Sequence, residues 1–258
     1  MTETLVSGIM ASLLTAGFVA LGGFLVFLKK SYDRRVINFL LNAAAGIMLA
    51  STFFTLLSPA VNGAGALNMS RNMGAVLIVF SVLLGFLVIW ALNLIVPHEH
   101  ENGERHGVNM SISTAWLFVF AIAIHKLPEG IAVGVAIAGG EIFNPRALIT
   151  GIAIQNIPEG LMVAIALIAI GYSRLKAALA ASLTGLMQVI GAAIGIVGTG
   201  FSEKMIPFGM AMAGGCMLFV IVNEIIPETC CSEKGSERCS WGIFAGFLFM
   251  TYIAVIMS

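Results

Sequence analysis

Eight apolar stretches dominate this chain, at about 5–28, 37–58, 73–96, 112–138, 147–171, 176–199, 205–227 and 241–257, and leave it few ways to fold. Each is close to the roughly 20 residues that a helix needs to cross a bilayer. Backbone placed in hydrocarbon must satisfy its own hydrogen bonds, and a helix does so within one segment. The expectation is an all-α, polytopic membrane protein of eight transmembrane helices. Composition agrees, with 59% of residues hydrophobic and 10% charged, where a soluble domain carries about 25% charged residues. The connectors are short, so residues 1–258 are expected to form one transmembrane domain, whose longest connector runs over 97–110. Thirteen basic and thirteen acidic side chains cancel, which gives no pull toward nucleic acid and leaves the lipid bilayer as the evident partner. The first residues, Met-Thr-Glu-Thr, lack the basic start of a signal peptide, so the first apolar stretch is expected to remain as a span.

Orientation follows from the basic residues, which concentrate on the cytoplasmic side. With the amino terminus outside, Lys29, Lys30, Arg34, Arg35, Arg105, Arg174, Lys176, Lys234 and Arg238 fall on inner connectors. Only Arg71, Arg146 and Lys204 fall on outer ones. Both termini are therefore expected outside the cytoplasm, in an inner or plasma membrane, which requires an even number of spans. Cys230, Cys231 and Cys239 would then face a reducing compartment, where thiols stay free.

One short repeat carries the chemistry. His125-Lys126-Leu127-Pro128-Glu129-Gly130 recurs thirty residues later as Gln155-Asn156-Ile157-Pro158-Glu159-Gly160. That spacing fits half a helix, a short loop and half a helix, so both copies fall near the bilayer centre on adjacent antiparallel helices, about 112–138 and 147–171. Each proline removes a helical hydrogen bond and frees the carbonyl four residues earlier, at Ile124 and Ile154. A glutamate at such depth is costly unless it has a partner or lines a wet path. His125 and Glu129 are four apart and share a helix face, as do Gln155 and Glu159. Opposed, those faces gather an imidazole, two carboxylates and an amide oxygen around one point. Mixed nitrogen and oxygen donors suit zinc, and also iron, manganese or cadmium. Prolines and lone polar residues in membrane helices often only kink or cross-link them. Two glutamates, a histidine and a lysine in duplicated order are too costly a set for that role.

These paired motifs resemble the fourth and fifth helices of the ZIP (Zrt/Irt-like) divalent metal transporters, in particular the bacterial GufA-like branch. The likeness extends along the chain, with Ala45-Gly46-Ile47-Met48-Leu49-Ala50 similar to the second helix of that branch. Leu183-Thr184-Gly185-Leu186-Met187-Gln188 resembles its sixth, and Val222-Asn223-Glu224-Ile225-Ile226-Pro227-Glu228 its seventh. The resemblance implies an inverted-repeat bundle and a homodimer. It also implies a divalent ion as substrate rather than an organic cofactor, moving toward the cytoplasm. A binuclear site is implied as well, its first position formed by His125, Glu129, Gln155 and Glu159. The second would lie at 126, 156 and 188, where asparagine, aspartate and glutamate are usual. This chain instead has Lys126, Asn156 and Gln188. One cation gained and two anions lost act against a second metal, so the expectation is a mononuclear site with Lys126 as built-in counter-ion. The alternative for Lys126 is that it snorkels toward an interface.

Other residues stand further from the centre. Asn223, Glu224, Met48 and Ser51 are candidates for the pathway, although hydroxyls such as Ser51 often only bond their own helix. His98, His100 and His106 on the longest connector are candidates for weak metal capture, against the alternative of a solvated link. Two other functions remain open from the residues alone. A cation exchanger also uses duplicated proline-glutamate motifs, but calcium prefers sites made of oxygen, and His125 argues against it. An intramembrane metal-dependent hydrolase would need a spare metal position and a general base.

Overall fold

The computed structural model describes residues 2–29, 32–65, 70–95, 98–99, 105–106, 114–140, 145–200, 205–227 and 236–257. Ten α-helices run through them, with α1 at Thr2–Phe24, α2 at Arg34–Ser51, α3 at Ser58–Gly65 and α4 at Arg71–Ile95. After them come α5 (Thr114–Gly139), α6 (Pro145–Ala169), α7 (Arg174–Thr184), α8 (Leu186–Thr199), α9 (Ile206–Val220) and α10 (Ser236–Ile256). A π-helical turn over Thr52–Leu57 joins α2 to α3, and another over Ile221–Ile225 extends α9. A break at Gly185 separates α7 from α8. Joined in this way, the described residues make eight helices long and apolar enough to cross a membrane, among them Arg35–Gly65 and Arg174–Thr199. The protein is an all-α, multi-pass membrane protein. Within the longest connector, two two-residue strands, β1 (His98–Glu99) and β2 (Arg105–His106), pair antiparallel.

Local chemistry explains where the helices begin. Asp33 caps α2, its Oδ1 accepting the Arg35 amide at 2.8 Å, and Ser173 caps α7 in the same manner through the Lys176 amide. Pro128 and Pro158 lie inside α5 and α6 without ending them, a tolerance that neighbouring helices provide at membrane depth.

Four helix pairs carry the packing: α1 with α6, α5 with α8, α2 with α10, and α4 with α9. Glycines set these contacts. A Cβ on Gly22 of α1 would overlap the carbonyl oxygen of Ile157, and one on Gly160 of α6 that of Val19. The same reciprocal contact joins Gly85 to Met212 and Gly215 to Val82 between α4 and α9. It joins Gly46 to Ile243 and Gly246 to Ala43 between α2 and α10, and Gly130 to Gln188 and Gly191 to Leu127 between α5 and α8. In each case the glycine follows by three residues the carbonyl that its own helix offers. Close backbone approach through small residues is how membrane helices associate when no hydrophobic force drives them together.

The pairing has a symmetry. Exchanging the first span with the sixth, the second with the seventh, the third with the eighth and the fourth with the fifth returns the same four contacts. The two π-helical turns, on the second and seventh spans, exchange as well. The chain is thus an inverted-repeat bundle with the two proline-containing helices at its centre. Gly85→Ala is expected to force α4 from α9 and to cost about 1–3 kcal/mol by overpacking. Gly17→Ala, where a Cβ meets nothing within 4 Å, is the neutral control. Thermal unfolding of the two variants in detergent checks this.

One cysteine departs from expectation. Cys216 is a free, buried thiol on α9, but Cys239 at the start of α10 is disulfide-bonded. The expected free thiol is therefore not what is found at Cys239.

Candidate functional site

The repeat motifs of α5 and α6 face one another in the protein interior, with α8 and α1 closing the sides. His125, Lys126, Glu129, Gln155, Asn156, Glu159 and Gln188 are all buried, and Lys126 has no solvent exposure at all. Lys126 therefore does not snorkel. Its Nζ lies 2.9 Å from both oxygens of Glu129 and 2.5 Å from Asn156 Oδ1, and it donates as well to Oε2 of Glu159. An ammonium has three protons, so the two Glu129 oxygens share one and the other partners take one each. Two carboxylates and one ammonium leave the cluster one negative charge.

The neighbouring amides are arranged around that centre. Gln188 Nε2 donates to Glu129 Oε2 at 2.5 Å, and Gln155 Nε2 to Glu129 Oε1 at 3.3 Å. Asn156 Nδ2 donates to the Thr15 carbonyl at 2.8 Å and lies 3.1 Å from Gln188 Oε1. Glu129 thus has both oxygens engaged. Glu159 and Gln155 do not, because Glu159 Oε1 and Gln155 Oε1 are buried with no hydrogen-bond partner. A buried acceptor left unmatched costs about 1–3 kcal/mol. Two such acceptors at one site are open to a bound cation or to water.

The four expected ligands are therefore gathered only in part. Glu129, Gln155 and Glu159 are linked through Lys126 and the amides, and His125 is buried one turn before Glu129. Among the described residues, however, no three His, Cys, Asp or Glu side chains stand close enough together to hold a metal ion. The reason is visible in the contacts: Glu129 is turned into the ammonium and the Gln188 amide rather than toward an open position. Lys126, Asn156 and Gln188 belong to one connected network of hydrogen bonds.

Of the pathway candidates, Met48 and Ser51 are fully buried on α2. Asn223 and Glu224 lie on the π-helical turn Ile221–Ile225, Asn223 being exposed. The ladder of β1 and β2 sets His98 opposite His106, while His100 falls outside the described residues. The sequence reading missed α1. Thr15 is buried, supplies the carbonyl for Asn156, and its hydroxyl lies 3.0 Å from the Ser12 carbonyl and 3.2 Å from Gln188 Oε1. A signal for it existed, since Gly8, Ser12, Thr15, Val19 and Gly22 recur at four- and three-residue intervals and all lie on the buried face.

Known proteins resemble this chain over most of its length. Residues 96–254 match the family described as ZIP Zinc transporter. The chain is 37% identical to the zinc transporter ZIPB of Bordetella bronchiseptica over 92% of its own length and 78% of that protein's. It is 36% identical to the zinc transporter GufA of Myxococcus xanthus, covering 94% of this chain and 95% of the relative. It is 28% identical to human zinc transporter ZIP11, covering 96% of each.

Proposed function

The chain belongs to the ZIP zinc transporter family, and from that premise we propose that it carries zinc toward the cytoplasm through one charged site between α5 and α6. It is a transporter rather than an enzyme, in keeping with relatives that are named as transporters. Cadmium, iron and manganese are the other candidate substrates, because the donors are a mixture of imidazole nitrogen and carboxylate and amide oxygen. Both termini lie outside the cytoplasm, as the distribution of basic residues favours, and the working unit is a homodimer. His98 and His106, opposed on β1 and β2, hold metal briefly at the cytoplasmic connector.

The observation that carries the reading is the pair of unmatched buried acceptors, Gln155 Oε1 and Glu159 Oε1, beside His125 and Glu129. A divalent ion supplies what those oxygens lack. To bind it, Glu129 turns from the Gln188 amide and Glu159 exchanges part of its ammonium contact for the metal. Lys126 stays as the counter-ion. The site passes from one negative to one positive charge with a single ion, and a second ion would raise it to three. The site is therefore mononuclear. Asn156 accepts from the lysine and Gln188 donates to Glu129, so neither is spent on a metal, and Asn223, Glu224 and Met48 line the route.

Flux of zinc, cadmium, iron and manganese into proteoliposomes tests the site. Saturable uptake of zinc is expected, and His125→Ala should lower it by at least the ~10–100-fold that loss of even an outer-shell metal partner costs. Uptake untouched by that change would remove His125 from the ligand set.

A further inference from the structure

Three hydroxyls follow one another on and just after α2, and one of them behaves differently from the others. Thr52 donates to the Met48 carbonyl at 2.8 Å and Thr55 to the Ser51 carbonyl at 2.7 Å, each satisfied four residues back. Ser51 has no exposure, yet its Oγ has no hydrogen-bond partner. A helical serine ordinarily takes the carbonyl one turn back, so its orientation away from its own helix goes uncompensated within the protein. It points toward Gly151 of α6. A Cβ placed on Gly151 would lie 2.6 Å from Ser51 Oγ and 2.8 Å from Met250 Sδ of α10. Hydroxyl oxygen and thioether sulfur thus close on the same small space, which exists because residue 151 has no side chain. One turn further along the same face of α6 is Gln155, whose Oε1 is also buried and unmatched because its amide nitrogen is turned to Glu129.

We propose that Ser51 Oγ and Met250 Sδ, joined by Gln155 Oε1 from one turn along α6, form a second, uncharged station for a soft or borderline divalent cation. Its hydroxyl and thioether sit one helical turn from Gln155, which both stations share, on the side of the connector between α5 and α6. All three donors are neutral, so the station binds weakly and releases readily, as a stopping place must. The thioether gives it a preference, since sulfur favours cadmium and zinc over manganese, which prefers oxygen. Gln155 Oε1 can serve either station in turn and hand the ion to Glu159 without an intervening bare step. The inference rests on the charged site being the transport site, and it adds to that reading a selectivity filter which the carboxylates cannot provide.

The test is the initial rate of cadmium and manganese uptake by the full chain in proteoliposomes, for the parent, Met250→Leu and Ser51→Ala. Leucine conserves volume and shape in a packed interior, and alanine removes a hydroxyl that has no partner, so neither change should cost the fold. Met250→Leu is expected to raise KM for cadmium about tenfold, the effect of one ligand worth ~1.4 kcal/mol, with KM for manganese within about twofold of the parent. Ser51→Ala, which removes an oxygen, should raise KM for both metals. The station is overturned if Met250→Leu leaves cadmium unchanged or shifts both metals equally, or if Ser51→Ala shifts neither. Glu129→Gln in the same assay separates the two readings. If that variant is inactive while Met250→Leu matches the parent, the station alone fails, and if it remains active the charged site fails first.

Discussion

Glu129→Gln will abolish metal flux while keeping the fold, and Glu129→Ala will abolish both flux and much of the stability. The difference lies in what each change leaves behind. Glu129 accepts from Lys126, Gln155 and Gln188 in a fully buried setting. Alanine strands all three donors, and breaking a buried ion pair by removing one partner costs about 3–5 kcal/mol. Glutamine keeps the shape and one acceptor oxygen for the ammonium. It removes one unit of charge, so the cluster becomes neutral and a divalent ion would carry it to a charge of two. A pair of unit charges about 4 Å apart interacts by about 4 kcal/mol at an effective dielectric near 20. Losing that attraction for a divalent ion weakens binding on the order of a thousandfold or more. Zinc uptake by proteoliposomes and thermal unfolding of the same preparations measure the two halves separately. Equal unfolding temperatures for the two variants, or residual flux through Glu129→Gln, would contradict the account.

Much of this was legible in the residues because hydrocarbon is an unforgiving solvent. Eight apolar stretches sufficed to predict eight helices, since no other local structure satisfies its backbone there. The repeat identified the centre because a glutamate at membrane depth is conspicuous in any sequence. Lys126 was legible for the same reason, and its partners lie where the repeat puts them, on its own turn and on the facing helix. Thr15 was harder, because one hydroxyl among eight spans says nothing until the face it shares with Gly8, Ser12, Val19 and Gly22 is noticed. The π-helical turn at Thr52–Leu57 and the convergence of Ser51 with Met250 were not legible at all. Both depend on which helices meet, and α2 meets α10 across nearly two hundred residues of chain. Glycine rules that meeting by its absence of a side chain, and the sequence holds 29 glycines without saying which ones touch. Cys239 was misread because orientation was allowed to decide oxidation state.

Lys126→Asn will turn a protein that binds one metal ion at this site into one that binds two, and it will make the fold depend on metal. The ammonium donates to both carboxylates and to Asn156 from a position with no solvent exposure. Asparagine there withdraws the positive charge and supplies a neutral amide oxygen, a donor a metal can use. Without metal, two carboxylates then share a dry site with no cation between them. One must take up a proton or the helices must part, and loss of a buried partner costs about 3–5 kcal/mol. A bound cation restores the balance, and it stabilises the folded state by about 2.7 kcal/mol at a hundred times its dissociation constant. Zinc should therefore raise the unfolding temperature of Lys126→Asn far more than that of the parent. Calorimetric titration should find one equivalent for the parent and two for the variant. Two equivalents in the parent, or one in both, would mean that the lysine does not stand in for a metal. Lys126→Met separates charge from ligation, because it removes the ammonium without offering an oxygen. It should share the instability of the asparagine variant without metal and bind one ion, which makes the second equivalent a property of the new ligand rather than of the lost charge.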